Sequence, residues 1–448
     1  MFICLLSLSL ATSLFAHSGA ALDIDVKDQD SIKSAAKTIA GGIVKLYKDD
    51  LKEELIPGLF SDPYYWWETG AVFGTLVDYS SLTGDKQYDD LLGEGFEHQL
   101  GEFDAFMPSN QTKTLGNDEQ STWGLAAMSA AENGFSTSKI GNLTWVQLAT
   151  NVFDTQVQRW NEETCDGGLN WQIYQFNNGY TYKNAISTGN FFLLAARLAK
   201  FTGNATYSEW AEKAFNWAQD IGLVDDKYHV YDGADETENC TSVNQIQWSN
   251  NNGLYMEGAA HMWNLTKGND KWKKATNGFV NATLNVFVED DVLLEIACEK
   301  NGKCNTDQKA FKGLAVRSYA RAIASAPFIS DSLTPVLEAS AKAAAKVCSE
   351  DDNEVECGLR WTKQVDDGEG ALGGLFSALA VLQALLVPEA KPLATGSTSN
   401  GTSSGSTTQN APAASGSGKP VENEGGADML FVSRGLVVAA AAVAVVFL

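Results

Sequence analysis

The stretch "STGNFFLLAARLAKFTGNATYSEWAEKAFNWAQDIG", residues 187–222, contains the unit from which the fold is built. Its first half is apolar or small on nearly every face, which is typical of a helix buried on all sides. Its second half interleaves charged residues with Trp210, Phe215 and Trp217, which is typical of a helix with one face in solvent. A short turn that begins at Gly203 separates the two halves. The stretch therefore predicts a buried helix followed by an amphipathic outer helix.

The same unit recurs along the chain. The turn "TGNATYSEWA" has counterparts in "TGDKQYDDLL" (83–92) and "KGNDKWKKAT" (267–276), in which a glycine is followed by polar positions and then an aromatic residue. Six small or apolar runs, about 50 to 70 residues apart, leave room for two helices and a loop in each repeat. They begin near Glu68, Gln120, Ser187, Asn251, Lys312 and Leu372. Six buried helices that alternate with six outer ones predict an all-α (α/α)6 barrel, and a long helical solenoid is the alternative.

"LGNDEQSTWGLAAM", residues 115–128, places two acids, Asp118 and Glu119, directly before a helical run. Asn117 and Gln120 have the spacing of a capping box, and acids in a first helical turn are stabilised by the helix dipole. The other interpretation is catalytic, because glycoside hydrolysis usually needs two carboxyl groups. At an irregular helix entrance both side chains can face one cleft, with carboxyls near the roughly 5–5.5 Å of retaining glycosidases.

Aromatic and amide side chains gather in the loops that precede the predicted inner helices. Half of the 12 tryptophans lie there or in the loop "GGLNWQI" (167–173). Aromatic rings stack on sugar rings and amides hydrogen-bond to their hydroxyls, so we predict a carbohydrate cleft, although core packing is the alternative for any single tryptophan. The candidate substrate-binding residues are Trp66, Trp67, Glu68, Asn117, Gln120, Trp123, Trp171, Asn184, Asn190, Trp248, Asn251, Asn252 and Trp361.

These motifs together resemble glycoside hydrolase family 76. The likeness rests on "YYWWETGAVFGTLVDY", "LGNDEQSTWGLAAM" and "GGLNWQI…YKNAISTGNFFLLAARLA", covers roughly residues 22 to 390, and is greatest for the fungal GPI-anchored branch. The resemblance implies an (α/α)6 barrel and a retaining endo-α-1,6-mannosidase or transglycosylase. Its substrate would be α-1,6-mannan or the mannose core of GPI glycans, with wall glucan as an acceptor. The family pattern is two consecutive aspartates with the nucleophile first, which makes Asp118 the nucleophile. Glu119 departs from the second aspartate and would be the acid/base.

Three functions fit the sequence: this enzyme, a wall-bound mannan-binding lectin whose altered pair is inactive, and a structural mannoprotein. The cluster of Trp and Asn residues disfavours the third, while Glu119 in place of aspartate keeps the second open. The formal net charge of −24 argues against nucleic acid or anionic lipid as a partner. Only four histidines occur, with no metal-ligand spacing, so we expect neither a metal nor a cofactor. We expect a monomer.

Both ends of the chain are typical of a protein that is exported and anchored. Residues 1–21 are predicted to be a signal peptide, and residues 22–390 the barrel domain. Residues 391–424 have the Ser/Thr/Gly-rich composition of a glycosylated stalk. Residues 425–448, which run from small residues at Gly425 to an apolar tail, match a GPI-anchor signal that is removed on attachment. The protein is therefore expected at the outer face of the plasma membrane or in the cell wall.

Cysteines and sequons fit the same compartment. Six cysteines remain after the signal peptide is removed, and they can pair in 15 ways. The short spacings favour Cys298–Cys304 and Cys348–Cys357, which leaves Cys165–Cys240, although some cysteines could stay free and buried. N-glycosylation sequons lie at Asn110, Asn142, Asn204, Asn239, Asn264, Asn281 and Asn400.

Overall fold

The computed structural model describes residues 20–50, 56–351, 354–364, 366–389 and 393–396. Within these ranges the chain forms twelve α-helices. They are α1 (Gln29–Asp50), α2 (Trp66–Thr83), α3 (Asp89–His98), α4 (Asn117–Asn133), α5 (Trp145–Val157), α6 (Ala185–Thr202), α7 (Ala205–Asp220), α8 (Ser249–Leu265), α9 (Asp270–Val286), α10 (Thr306–Ser325), α11 (Ser330–Lys346) and α12 (Ala371–Ala384).

The even-numbered helices form a closed inner ring. Each packs on the next even-numbered helix, and α12 packs back on α2. The odd-numbered helices lie outside this ring, and α1 lies against α12 and α2 to cover the point where it closes. The six predicted inner runs all fall in the even-numbered helices. The (α/α)6 barrel is therefore confirmed, and the closed ring excludes the open solenoid.

Burial explains why the two kinds of helix differ in sequence. In α6 fifteen residues are buried, among them polar ones such as Arg197, because neighbours cover it on every side. In α7 the buried residues include Ala211, Ala214, Phe215 and Ala218, which form a single stripe at helical spacing. Complete burial of a side chain such as Phe215 stabilises the fold by about 1.5–3 kcal/mol. The charged residues of α7 remain on its outer face.

The repeated turn has a physical basis at both of its ends. Gly84 and Gly203 follow α2 and α6 in the left-handed conformation, with φ of 78° and 73°, which side chains disfavour. After Gly203, the Asn204 side chain accepts a hydrogen bond from the backbone N–H of Thr206 and starts α7. The glycine thus ends an inner helix, and the polar residue after it begins the outer one.

Three small antiparallel sheets and three disulfides hold the loops. The sheet orders are β1–β7–β8, β2–β3–β4 and β5–β6. The disulfides are the three predicted pairs, Cys165–Cys240, Cys298–Cys304 and Cys348–Cys357. The strands are β1 (Ala20–Ala21), β2 (Tyr182–Asn184), β3 (Tyr231–Asp235), β4 (Val243–Gln247), β5 (Val288–Glu289), β6 (Val292–Leu293), β7 (Cys348–Asp351) and β8 (Glu354–Cys357).

The edges of the domain differ slightly from the predicted boundaries. Residues 393–396 still contact the barrel, because the Ala394 N–H donates to the Glu132 carbonyl and the Gly396 N–H donates to the Phe201 carbonyl. None of the helices in the described ranges is long and apolar enough to cross a bilayer. The predicted anchor site at Gly425, the sequon at Asn400, and nearly all of the signal and stalk segments lie outside the described residues.

Candidate active site

The inner helices all begin at the same end of the barrel, which we call the N-terminal pole. The residues at their C-terminal ends, including Gly84, Asn133, Lys200 and Gln383, line one common pocket at the other end, the C-terminal pole. The loops that precede the inner helices therefore meet at the N-terminal pole. These are the loops in which the carbohydrate cleft was predicted.

Asp118 and Glu119 turn their carboxyl groups toward each other over Gly116. A Cβ atom placed on Gly116 would lie 2.1 Å from Glu119 Oε2 and 2.6 Å from Asp118 Oδ1, so both carboxyls occupy the space that a side chain there would fill. The two carboxyls are within hydrogen-bonding distance of each other, which is closer than the predicted separation of roughly 5–5.5 Å. They converge because Gly116, the N-cap of α4, has no side chain to hold them apart.

Burial determines how this pair ionises. Burial raises the pKa of Asp118, and the hydrogen bond shared with Glu119 opposes that rise. Burial, followed by the charge of Asp118, raises the pKa of Glu119 well above its usual range. A helix N-terminus favours an anion by only about 0.3–1 kcal/mol, whereas full burial can shift a pKa by several units, so burial dominates. Burial and the neighbouring charge therefore favour the protonated form of Glu119, and Asp118 is the more readily ionised partner.

A third carboxyl, Asp307 in the first turn of α10, faces the same space. Its negative charge raises the pKa of both Asp118 and Glu119, and Trp67 Nε1 donates to Asp307 Oδ1 over 2.9 Å. Burial raises the pKa of Asp307 itself, while the Trp67 hydrogen bond lowers it. Asp307 was not among the predicted site residues, although an acid five residues before the predicted inner run at Lys312 was an available signal.

Glu68, in the first turn of α2, is a fourth buried acid at this pole. Its side chain is 2% exposed, and Oε2 accepts a hydrogen bond from the Tyr65 N–H over 2.8 Å. Burial raises the pKa of Glu68 to about 8, the Tyr65 hydrogen bond lowers it, and Asp307 adds a further rise. Glu68 is therefore predominantly protonated at neutral pH and can donate a hydrogen bond.

Arg159 forms hydrogen bonds to the first turn of α4. Arg159 Nε donates to Asn117 Oδ1 over 2.8 Å, and its terminal NH2 group donates to Gln120 Oε1. The predicted capping box is wrong, because Gly116 is the N-cap and Asn117 is already helical. Asn117 and Gln120 are therefore bonded into the scaffold beneath the carboxyl pair, and the Asn117 N–H also donates to the Trp171 carbonyl.

The predicted tryptophans separate into two groups. Trp123 and Trp361 are 0% exposed; Trp66 stacks on Trp123, and the Lys312 ammonium lies 4.0 Å from the Trp361 ring centroid. Trp66, Trp123 and Trp361 therefore belong to the core, and the prediction that they bind sugar was wrong. Trp67 is bonded to Asp307. The partly exposed Trp171 and Trp248 are the remaining candidates, and Trp248 Nε1 donates to Asp232.

The predicted asparagines also divide between scaffold and site. Asn184 caps α6 by accepting from the Ser187 N–H, and Asn252 is bonded to Thr283 and to the Phe279 carbonyl. Asn190 Nδ2 donates to the Asp118 carbonyl over 3.3 Å and so reaches the first turn of α4. Asn251 Oδ1 is buried with no partner among the described residues.

Exposed aromatic rings on neighbouring loops were not predicted. Phe103 and Phe176 are each 70% exposed, and Phe176 stacks on Tyr174 with ring centroids 5.3 Å apart. The Tyr174 hydroxyl is close enough to Arg159 to interact with its charge, which brings this aromatic pair beside the start of α4. Tyr65, 47% exposed, is close enough to Asp307 for that charge to raise its pKa. These rings provide solvent-facing surfaces for sugar stacking.

Every sequon asparagine that the structure describes is exposed, as glycosylation requires. Within the same residues, no group of three or more His, Cys, Asp or Glu side chains is arranged to hold a metal ion. The six exposed sequon residues are Asn110, Asn142, Asn204, Asn239, Asn264 and Asn281.

An (α/α)6 barrel that carries a buried, proton-sharing carboxyl pair at its N-terminal pole has the construction of a glycoside hydrolase. The model of glycosyl hydrolase family 76 matches residues 31–397. The chain belongs to this family.

Relatives with assigned names are similar over most of their length. DFG5 of Saccharomyces cerevisiae, a mannan endo-1,6-alpha-mannosidase, is 38% identical over 403 residues, covering 90% of this chain and 88% of the relative. DCW1 of Eremothecium gossypii, with the same enzyme name, is 41% identical over 377 residues, covering 83% of each protein.

Solved structures agree with the fold. Dfg5 from Chaetomium thermophilum, crystallised with glucosamine, superposes with a TM-score of 0.79 at 40% identity, over 84% of this chain and 94% of that one. An α-1,6-mannanase of Salegentibacter, as an inactive variant with α-1,6-mannotriose, superposes with a TM-score of 0.62 at 17% identity, over 79% and 99%. The second match shows the shared fold alone.

Proposed function

We propose that this protein is an endo-acting α-1,6-mannosidase or transglycosylase that cleaves α-1,6-mannan or the mannose core of GPI glycans by a retaining mechanism. The observation that carries the proposal is the convergence of Asp118 and Glu119 over Gly116. The names of the similar fungal proteins support the substrate class.

In the first step Glu119, which holds the shared proton, donates it to the glycosidic oxygen. Asp118 attacks the anomeric carbon as the C–O bond breaks, and a covalent glycosyl–Asp118 intermediate forms. In the second step Glu119, now a carboxylate, removes a proton from the acceptor hydroxyl, which attacks the same carbon and releases Asp118. The raised pKa of Glu119 suits the first step, because the group must be protonated near neutral pH.

Substrate binding must separate the two carboxyls. A glycosidic oxygen that accepts the Glu119 proton replaces Asp118 as its hydrogen-bond partner, and Asp118 is then free to turn toward the anomeric carbon. The extra methylene of Glu119, compared with aspartate, gives its carboxyl the reach for this exchange. Asn190 donates a hydrogen bond to the Asp118 carbonyl. This bond holds the backbone of Asp118 while the Asp118 side chain moves.

The acceptor is water or a sugar hydroxyl, and the exposed aromatic rings beside the site favour a sugar. The stacked Tyr174 and Phe176 rings offer an apolar platform for the face of a sugar ring. A wall glucan chain held there would present its hydroxyl to the intermediate in place of water.

We propose that the protein acts as a monomer on the outer surface of the cell, attached by a GPI lipid near Gly425. The small residues followed by the apolar segment 436–448 support this attachment. Treatment of intact cells with a phosphatidylinositol-specific phospholipase is expected to release the protein. Recovery of the tail through Leu448 in the mature protein would contradict the anchor but not the enzyme.

The experiment that tests the activity is incubation of the full chain with α-1,6-mannan oligosaccharides, with and without a β-glucan oligosaccharide acceptor. Shortened mannan supports hydrolysis, and a mixed oligosaccharide supports transfer. Binding without any turnover would replace the enzyme with the mannan-binding lectin.

A further inference from the structure

The C-terminal pole contains a pocket of about 1010 Å³, at the opposite end of the barrel from the carboxyl pair. It is lined by residues at the ends of all six inner helices and by Lys33 of α1. A small axial cavity of about 50 Å³ shares Arg317 and Arg321 with this pocket. The lining of the pocket does not include Asp118, Glu119 or Asp307, so the pocket is distinct from the space around the carboxyl pair.

Buried carboxylates at this pole are already neutralised by arginines. Asp78 accepts from Arg317 and from Arg321 over 2.8 and 2.7 Å, and Glu132 accepts from Arg197 and Arg321 over 2.7 and 2.8 Å. These contacts close the floor of the pocket with fixed guanidinium groups, and Arg317 and Arg321 present their remaining surface to the pocket.

Two lysines add positive charge that no acid in contact with them balances. Lys200 Nζ donates to the neutral Ser325 hydroxyl over 3.2 Å, and Lys33 has no hydrogen-bond or ion-pair partner among the residues that the structure describes. Desolvation lowers the pKa of Lys200, and the charges of Glu132 and Glu257 oppose that fall while those of Arg197 and Arg321 add to it. A cationic pocket is unusual on a chain with a net charge of −24.

Two buried hydrogen-bond donors of pocket-lining residues lack an acceptor among the described residues. Arg317 Nε and Gln383 Nε2 have no partner in the described parts of the chain, and the Gln383 side chain is 3% exposed. A buried donor without an acceptor is unfavourable, so these two donors favour an acceptor that comes from outside the chain.

The arrangement of the donors selects the acceptor. Arg317 and Gln383 lie on neighbouring inner helices, while Lys200 and Lys33 approach from α6 and α1. A carboxylate offers two oxygens in one plane, whereas a phosphate group offers three or more oxygens in different directions and pairs strongly with guanidinium groups. Val77, Ile323 and Leu386 supply an apolar wall for the organic part of such a ligand.

We propose that the pocket at the C-terminal pole is a second binding site, which takes a phosphate ester through Lys33, Lys200, Arg317 and Gln383. The ester belongs either to a phosphorylated glycan or to a phospholipid headgroup. This site does not depend on the proposed mannosidase activity.

The test is calorimetric titration of the full chain in low salt with mannose 6-phosphate, mannose and acetate. We expect mannose 6-phosphate to bind at least tenfold more tightly than either of the others, and the affinity to fall as salt is added. Equal binding of mannose would indicate a plain sugar site, and equal binding of acetate a general anion site; either result, or no binding of any phosphate ester, overturns the proposal.

Vesicles distinguish the two sources of the phosphate. Sedimentation with phosphatidylinositol vesicles, but not with phosphatidylcholine vesicles, together with weak binding of mannose 6-phosphate, assigns the site to a headgroup. Binding of mannose 6-phosphate without sedimentation assigns it to a glycan.

Variants connect the binding to the pocket. Gln383→Glu replaces the free donor by a carboxylate of the same shape and is expected to weaken binding of the phosphate ester at least tenfold. Lys33→Ala removes a partly buried cation and is expected to weaken binding of the phosphate ester about fivefold, as for the loss of one charge-assisted contact. Lys48→Ala, the matched control on the same helix, is expected to change nothing. All three should keep the wild-type turnover of mannan, and unchanged binding in both pocket variants would refute the assignment.

Discussion

Replacement of Gly116 by alanine tests the carboxyl pair without touching either acid. The new Cβ would lie 2.1 Å from Glu119 Oε2, and ordinary contact begins at 3.4 Å, so that oxygen must retreat by about 1.3 Å. Asp118 Oδ1, at 2.6 Å, must retreat by about 0.8 Å. The backbone there is extended, with φ −103° and ψ 172°, so alanine introduces no backbone strain. The new Cβ would also lie 2.8 Å from the Trp171 carbonyl oxygen, so the backbone of that loop must shift together with the two carboxyls.

A displacement of about 1 Å at a reacting group costs on the order of a hundredfold in rate, or about 2.7 kcal/mol of transition-state stabilisation. We therefore expect Gly116→Ala to lower kcat on α-1,6-mannan oligosaccharides about a hundredfold. KM should change little, because the sugar contacts lie elsewhere. The loss of the glycine N-cap should lower the free energy of unfolding by about 1 kcal/mol, and the contact with the Trp171 carbonyl oxygen should lower it further.

Gly134→Ala, at the other end of α4, is the matched control. Gly134 has φ 61°, and a Cβ placed on it would meet nothing within 4 Å, so alanine there strains the backbone by about 1–2 kcal/mol without a collision. We expect Gly134→Ala to lower the melting temperature and to keep full activity. Wild-type kcat in Gly116→Ala would show that the carboxyls over this glycine are not the reacting pair.

Three further predictions concern the buried acids at the N-terminal pole. Asp118→Asn should abolish turnover while α-1,6-mannotriose still binds. Glu119→Gln should reduce turnover less for substrates with activated leaving groups, because these need little proton donation. Full activity in either variant would show that the carboxyl pair has a structural role and not a catalytic one. Asp307→Asn removes a negative charge that raises the pKa of both Asp118 and Glu119. The alkaline limb of the kcat/KM profile, where Glu119 loses its proton, should therefore move to lower pH. An unchanged limb would show that the charge of Asp307 does not act on the carboxyl pair. Glu68 has a folded-state pKa of about 8, raised from 4.5, so its contribution to stability is complete below about pH 4.5 and is lost as pH rises through 8. Glu68→Gln keeps an acceptor for the Tyr65 N–H but cannot ionise, so its melting temperature should gain on the wild type between pH 5 and 8, whereas parallel curves would contradict the raised pKa.

The sequence was sufficient for the architecture because the fold repeats one local unit. A run that is apolar on all faces has to be buried, and an amphipathic run has to lie at the surface; both follow from local spacing. The turn at Gly203 and Asn204 is local as well, since left-handed backbone and helix capping depend on single residues. Six repeats of this unit predicted six inner and six outer helices, and the closure of the ring is what the structure added.

The candidate site was only partly predictable. Asp118 and Glu119 are adjacent in sequence, so the local pattern around them was enough to distinguish them. Asp307 lies far along the chain and meets them only because the ring brings the starts of α4 and α10 to one pole. The local sequence around Trp123 gave no sign that its ring would be enclosed by Trp66, Phe73, Phe96 and Phe106.

The division between the two kinds of information has one physical reason. Periodicity, glycine conformation and helix caps are properties of a few neighbouring residues, so the amino-acid sequence alone determines them. Which side of a buried helix faces the axis, which acids share a proton, and which donors remain without a partner depend on groups supplied by distant segments. Those outcomes, from the convergence over Gly116 to the unpaired amide of Gln383, were decided only when the barrel closed.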